Sequence, residues 1–411
     1  MNFEIDSNTL NIDGNIVVVD RLDNLINQHY LECTYNSDAH TKMYRGLVTN
    51  TQGETVCKTF GFTPEINETN LEDLQNILVP FMQKGNYTSL VAYEATLLRV
   101  FYNSNKWYIT TCRKLDAYKS KWGSLKTFGE LFQTCIGTSS VEDTQTWCDT
   151  NLDKSLVYCY VIRTYDENRI VCKGFDVPQL FLVGTFSSTN FDMEKCNIDI
   201  IGVTGPQNNR ECKISLSGID KSLVDPVSTL DELSLCMAKI DFNKSQGIIF
   251  INNQGDCIKI IKDDYAKYFS LRGNQPNILL RYIELQQKQD VNQIATYFDF
   301  YPEHKNLIID FTDVIEDICN YVFRKYRNRF IRKQISIVPP DLYYVIRELH
   351  DSYIKNRENI VTPERVATYI QNLPPLRLLS LYNSYNKRKE ENGNGHKLSK
   401  EFIDKVKNMI I

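Results

Sequence analysis

The side chains best equipped for chemistry in this chain are cations set among aromatic rings. Arg113, Lys114, Lys119 and Lys121 alternate with Tyr108, Tyr118 and Trp122. Such clusters follow nucleic-acid phosphates with their charges and stack bases on their rings. The same pattern also suits a charged hairpin with a core tryptophan, and composition does not separate the two. A second basic run, Arg324 to Lys333, contains Arg324, Arg327 and Lys333. It reads either as an RNA-backbone contact or as the solvated end of a helix. Metal and thiol chemistry find less support. The twelve cysteines are scattered, with no Cys-x-x-Cys pair. Cys57, Cys159, Cys172, Cys236 and Cys319 lie among apolar residues, where a thiol acts as a small hydrophobe. None of the five histidines stands near another at ligand spacing, so no metal ligands are expected.

At 411 residues the chain exceeds a single core, and its 42% hydrophobic and 24% charged residues are those of a globular protein. A net charge of -4 argues against wholesale coating of nucleic acid but leaves room for a local basic surface. No apolar run approaches the roughly 20 residues that span a bilayer. Met1 to Asp6 has neither a basic start nor an apolar core, so a secretory signal is not expected. A reducing, cytoplasmic setting is expected.

The elements that must position these residues change character along the chain. Strands are expected at 16–19, and at 44–49 with 54–60 as a hairpin around Asn50-Thr51-Gln52-Gly53. A helix over 70–82 should end or kink at Pro80. A long strand over 90–102 pairs with 106–113, and further strands are expected at 156–164, 170–173, 179–185, 246–251 and 257–261. Short helices intervene at 128–135 and 229–239. Beyond about residue 302 the pattern turns helical. An apolar stripe runs through 308–333, another helix is expected over 341–356, and a Thr362-Pro363 start follows. The run 387–395 reads as a surface loop before a final short helix.

Several segments resemble, in order over roughly residues 40–285, the motifs of the phage-type RNA ligase family of covalent nucleotidyltransferases. Tyr44-Arg45-Gly46-Leu47-Val48 and Val56-Cys57-Lys58-Thr59-Phe60 look like the strand pair that sets an Arg and a Lys near nucleotide phosphates. Ala92-Tyr93-Glu94-Ala95-Thr96-Leu97 stands where the family has Lys-x-Asp-Gly-Ser-Leu, and Lys119-Ser120-Lys121-Trp122-Gly123-Ser124 resembles the segment downstream. Glu167-Asn168-Arg169-Ile170-Val171, Gln246-Gly247-Ile248-Ile249 and the stretch Ile258-Lys259-Ile260-Ile261-Lys262-Asp263-Asp264-Tyr265 are similar to the later motifs, with Leu271-Arg272-Gly273-Asn274 as the flank. The segment Val91 to Ser124 also resembles ligase-like proteins of large DNA viruses.

The resemblance implies transfer of AMP from ATP to a lysine amine, then to an RNA 5′-phosphate, with Mg2+ and lysines neutralising the phosphates. It places Arg45, Lys58, Glu94, Lys119, Lys121, Arg169, Gln246 and Lys259 around a nucleotide, unless the cations are merely solvated strand-end charges. The sequence departs from the pattern where the chemistry is decided. Ala92 occupies the nucleophile's place, Ala95 that of the motif glycine and Ile261 that of the second closing lysine. Gln246 replaces a glutamate, and Tyr158 to Ile162 offers no carboxylate.

The expected fold is therefore α+β. It comprises a nucleotidyltransferase domain of ATP-grasp-like antiparallel sheets (residues 1–75 its N-terminal part, 76–300 its core) and an all-α domain over 301–411. The expected function is that of an RNA-ligase-like pseudoenzyme binding ATP with Mg2+, RNA, another nucleotide or a protein partner, with no membrane contact, in the host cytoplasm or virion. The alternatives are an active ligase with a non-standard nucleophile and an assembly protein of a virion.

Overall fold

The computed structural model describes residues 10–163, 169–173, 178–195, 199–201 and 227–391. The chain divides into two compact units, Met1–Ser270 and Leu271–Ile411.

The first unit is built on three sheets. Strands β1 (Leu10–Asp13), β2 (Ile16–Leu22), β3 (Leu25–Tyr30), β4 (Arg45–Asn50) and β5 (Thr55–Cys57) follow one another as an antiparallel meander. The short β6 (Glu65–Asn67) and β7 (Tyr87–Ala92) belong to a second sheet. Strands β8 (Thr96–Asn103), β9 (Lys106–Thr111), β10 (Leu156–Arg163), β11 (Gln179–Ser187), β12 (Met193–Lys195) and β13 (Asp199–Ile201) form a third, ordered β12-β11-β10-β8-β9 with β13 also on β11. Finally β14 (Gly247–Asn252) and β15 (Cys257–Ile261) complete the second sheet, ordered β6-β15-β14-β7. Every pairing is antiparallel except that of β6 with β15.

Among the described residues, alternating apolar side chains of the sheets bury several cores. Leu98, Val100, Ile109 and Tyr160 of the third sheet pack with Leu131 and Phe132 of helix Phe128–Ile136. Ile248, Phe250 and Ile260 of the second sheet meet Leu233 and Met237 of helix Leu230–Lys239. Both helices start in a capping box, Thr127 with Glu130 and Thr229 with Glu232, which satisfies their first amides. A third core, with Val48, Cys57, Phe101, Val157, Phe186 and Ile251, draws residues from all three sheets.

Several sequence expectations change. Residues 90–102 are two strands, not one: β7 ends at Ala92, Tyr93 to Ala95 change direction, and β8 enters a different sheet. Residues 170–173 form no strand, because the amides of Ile170, Val171 and Cys172 are turned onto the Glu94 side chain and that of Lys173 onto the Asn243 carbonyl. Pro80 does not end its helix. A π turn, Leu74–Leu78, precedes Val79–Gln83 and sets the proline in the first turn, where its missing amide is harmless. The run at 387–395 is helical up to Glu391, in Pro375–Glu391; the final short helix expected after it lies outside the described residues.

The second unit is helical: Ile278–Gln287, Val291–Phe300, Lys305–Tyr326, Pro340–Lys355, Pro363–Gln371 and Pro375–Glu391. The expected stripe is part of its core: Phe311, Ile315, Ile318, Val322 and Tyr326 are buried, as are Val345 and Leu349, and the Phe311 ring meets that of Tyr382. The α-helix ends at Tyr326 and gives way to a π turn, Arg327–Ile331.

Candidate functional site

A cavity of about 150 Å³ lies in the first unit. Its wall is mostly apolar, with Phe60, Leu90, Leu97, Val161, Val183, Ile249, Ile251 and Cys257. Ala92, Tyr93 and Ala95, the stretch where the chain passes between sheets, line it too. Two cations complete the wall: Arg45 at the start of β4 and Lys259 in the middle of β15.

The strands bring these residues together by backbone pairing. Ala92 lies opposite Gly247 across β7 and β14, and its carbonyl accepts the Gln246 amide at 2.7 Å. Gly247 has a φ of +151°, and a Cβ there would run into the Ile260 carbonyl, so only glycine lets β14 and β15 meet at this point. Gly46 plays a similar part beside Arg45: with φ +78°, its Cβ would stand 2.6 Å from the Cys112 carbonyl oxygen. Beneath it the fully buried Arg99 donates to the Gly46 carbonyl and, at 2.6 Å, to that of Thr111.

Glu94 follows the cavity-lining Tyr93, yet it is engaged elsewhere. Its carboxylate accepts amide hydrogens from Ile170 at 3.1 Å, Val171 at 2.9 Å and Cys172 at 3.1 Å. The Tyr265 hydroxyl adds a fourth bond at 2.9 Å and itself accepts from the Gln246 side-chain amide at 2.8 Å. Burial, with the Glu94 carboxylate next to it, pushes the Tyr265 hydroxyl far above its ordinary range, so it stays a proton donor. Glu94 thus closes an irregular segment that would otherwise have orphan amides.

The remaining expected site residues are dispersed. Lys58 is half-buried and is not among the lining residues. Arg169 donates to the Val171 carbonyl at 2.8 Å, inside the segment held by Glu94. Lys119 is exposed, 3.3 Å from Asp116, and neither it nor Lys121 reaches the cavity wall. Trp122 packs against the core of the third sheet. Lys114 stands 3.8 Å from Asp20, and burial holds the Arg113 guanidinium below its usual range. Arg324, Arg327 and Lys333 belong to the second unit, where all three are exposed; Arg324 lies over the Tyr321 ring at 5.6 Å and Arg327 over Phe323 at 5.8 Å. Among the described residues no three His, Cys, Asp or Glu side chains gather to hold a metal. No helix among them is long and apolar enough to cross a membrane.

Sequence reasoning gave Tyr265 no role, although it ends the closing motif stretch, and it missed the apolar wall. Alternation in the strands marks Ile249, Ile251 and Val161 as inward-facing, but it cannot say which inward positions face one another across an unfilled space.

No protein-family model matches the chain. It is 26% identical over 300 residues to an immediate-early protein ICP-46 homolog of Invertebrate iridescent virus 6, covering 69% of this chain and 62% of that protein. A homolog from Invertebrate iridescent virus 3 is 26% identical over 68% of this chain and 58% of its own length, and the ICP-46 protein of Frog virus 3 (isolate Goorha) is 26% identical over 48% and 49%. The chain therefore spans about half to three-fifths of these relatives, which are proteins of large DNA viruses. Among solved structures, a chain assigned as an ATP-dependent DNA ligase from Aquifex aeolicus aligns over 83% of this chain and 78% of its own, with a TM-score of 0.38 and 11% identity. Two forms of an archaeal ATP-dependent RNA ligase align over 88% and 90% of this chain and 74% of theirs, with TM-scores of 0.34 and 0.33 and 10% and 11% identity. At that level of superposition the likeness gives no residue of this chain a role.

Proposed function

We propose that the first unit is an RNA-ligase-like nucleotide site that binds its ligand without forming a covalent bond to it. The observation that carries this reading is that Arg45, Ala92 and Lys259 share one cavity wall. They come from three separated strands, and they match the phosphate-binding arginine, the nucleophile and the closing lysine of the motif resemblance. The cavity's size and lining suit a planar ring, since an apolar engineered cavity of about 150 Å³ takes up benzene. A nucleobase would lie against Leu97, Val161 and Ile249, with its phosphates directed to Arg45 and Lys259.

The side chains present do not support transfer chemistry. The methyl group of Ala92 forms no phosphoramidate. The lysine on the wall, Lys259, is engaged by the Glu65 carboxylate at 2.7 Å and does not stand at the nucleophile's position in the motif. Nor do the residues fit a resident Mg2+. Glu94 already accepts from three amides and a hydroxyl, and Gln246 carries no charge. ATP would bring its magnesium on its own phosphates. The exposed lysines of the stretch Arg113 to Trp122 would serve RNA, and a role in the host cytoplasm or virion would suit a chain with viral relatives.

The test is incubation with α-labelled ATP and GTP plus magnesium or manganese, read by denaturing electrophoresis and by equilibrium binding. Binding without a labelled band is expected. An acid-labile labelled band would establish a nucleophile and overturn the non-covalent reading. Neither label nor binding would leave a scaffold.

A further inference from the structure

Both cations of the cavity are held by one short stretch of chain. Arg45 donates from Nη1 to the Gly61 carbonyl at 3.2 Å and to Thr63 Oγ1 at 2.7 Å. Lys259 donates from its backbone amide to Pro64 at 2.9 Å and from Nζ to Glu65 Oε1 at 2.7 Å. Phe60 and Thr63 of the same stretch line the cavity. Glu65 and Lys259 are in register in the parallel pair of β6 with β15, so backbone pairing, not a loose loop, sets the carboxylate on the ammonium. The arrangement is repeated three residues on, where Lys262 stands 3.6 Å from Glu68 and Glu68 accepts the Asp263 amide at 3.0 Å.

The two members of the pair differ in their access to water. The Lys259 side chain is 18% exposed and that of Glu65 55%. Lys259 is fixed on the cavity wall, whereas Glu65 can turn outward and recover its hydration. An ion pair with one half-exposed member is weak. A phosphate group, with more charge and more acceptor oxygens than a carboxylate, can therefore displace it.

On the reading of the cavity as a nucleotide site, we propose that Glu65 is an internal stand-in for a ligand phosphate on Lys259. Phosphate recognition is then an exchange of one anion for another. A nucleoside, which brings no anion, leaves the Lys259–Glu65 pair intact and is indifferent to Glu65. A nucleotide must displace the carboxylate, and Glu65 sets how much the phosphates add to affinity.

The experiment measures equilibrium binding of ATP and adenosine to the full chain and to Glu65→Gln, Glu65→Ala, Lys259→Met and the Glu65→Gln/Lys259→Met pair. Folding of each is checked by circular dichroism. Both Glu65 variants should bind ATP more tightly than the parent, by about two- to fivefold, the scale of one partly exposed ion pair. Adenosine affinity should not change, and the gain should vanish when Lys259 is also replaced. ATP binding by the Glu65 variants alone would also support the proposal, as a site blocked in the parent. Unchanged ATP affinity in both Glu65 variants, with a loss in Lys259→Met, would overturn it and leave the cavity reading standing. No binding by any of these proteins would remove both.

Discussion

The Tyr265 hydroxyl donates to Glu94 at 2.9 Å although 171 positions separate the two in the chain. With the amides of Ile170, Val171 and Cys172 on the same carboxylate, Glu94 ties the strand junction after Ala92 to a distant helix and to an irregular segment. A carboxylate that the motif pattern would place beside a ribose or metal has become a structural fastening.

Glu94→Gln should therefore destabilise the protein. The amide replaces an acceptor with a donor facing backbone N–H groups, and a loss of about 2–3 kcal/mol is expected. Urea denaturation followed by circular dichroism measures it. A midpoint equal to that of the parent would mean that the amides find other partners. Tyr265→Phe removes two bonds, the one given to Glu94 and the one accepted from Gln246, and should cost about 1–3 kcal/mol.

A second prediction concerns pH. Burial, reinforced by Arg113, Arg45 and Arg99, lowers the His29 imidazole from 6.5 to about 4. Between those values the unfolded chain takes up a proton that the folded chain refuses. Stability therefore declines as pH falls through this window, by up to about 3 kcal/mol, and is constant in this respect above pH 6.5. Denaturant midpoints at pH 7, 6 and 5 would show the decline, and His29→Gln should flatten it. A parent curve as flat as the variant's would remove the imidazole from the pH response.

Filling the cavity should abolish binding without unfolding the protein. Ala95 lines the cavity and is exposed, so Ala95→Trp can enter the space with little strain on the fold. ATP affinity should fall by about tenfold or more while the melting temperature stays close to the parent's. Undiminished affinity would locate the ligand elsewhere.

For the basic-aromatic stretch, Lys119→Glu with Lys121→Glu should weaken binding of single-stranded RNA. If each lysine meets a phosphate, the logarithmic salt slope should also drop by about 1.4, from roughly 0.7 per contact. Trp122 sits against the core, so these two lysines can be altered without disturbing it. An unchanged slope would remove the cluster from RNA recognition.

The amino-acid sequence by itself determined the α+β character of the chain, its helical C-terminal part, most strands of the first unit and the presence of an alanine, Ala92, where the motif resemblance would have a lysine. These are local properties. Alternation, capping residues and side-chain type are legible wherever they occur, and a missing amine is missing in any fold. Tertiary structure alone decided that Arg45, Ala92 and Lys259 meet while Lys58, Lys119 and Lys121 do not line the cavity, and that Glu94 is spent on amides near residue 171. It also decided that residues 90–102 break into strands of two different sheets. The physical reason is that periodicity records which way a side chain faces relative to its own strand. Which strands share a sheet, and which inward faces then surround an empty volume, depends on pairings between residues far apart in sequence. Lys259 and Glu65 face each other over 194 positions because β6 and β15 run parallel, and no local pattern in either strand carries that information.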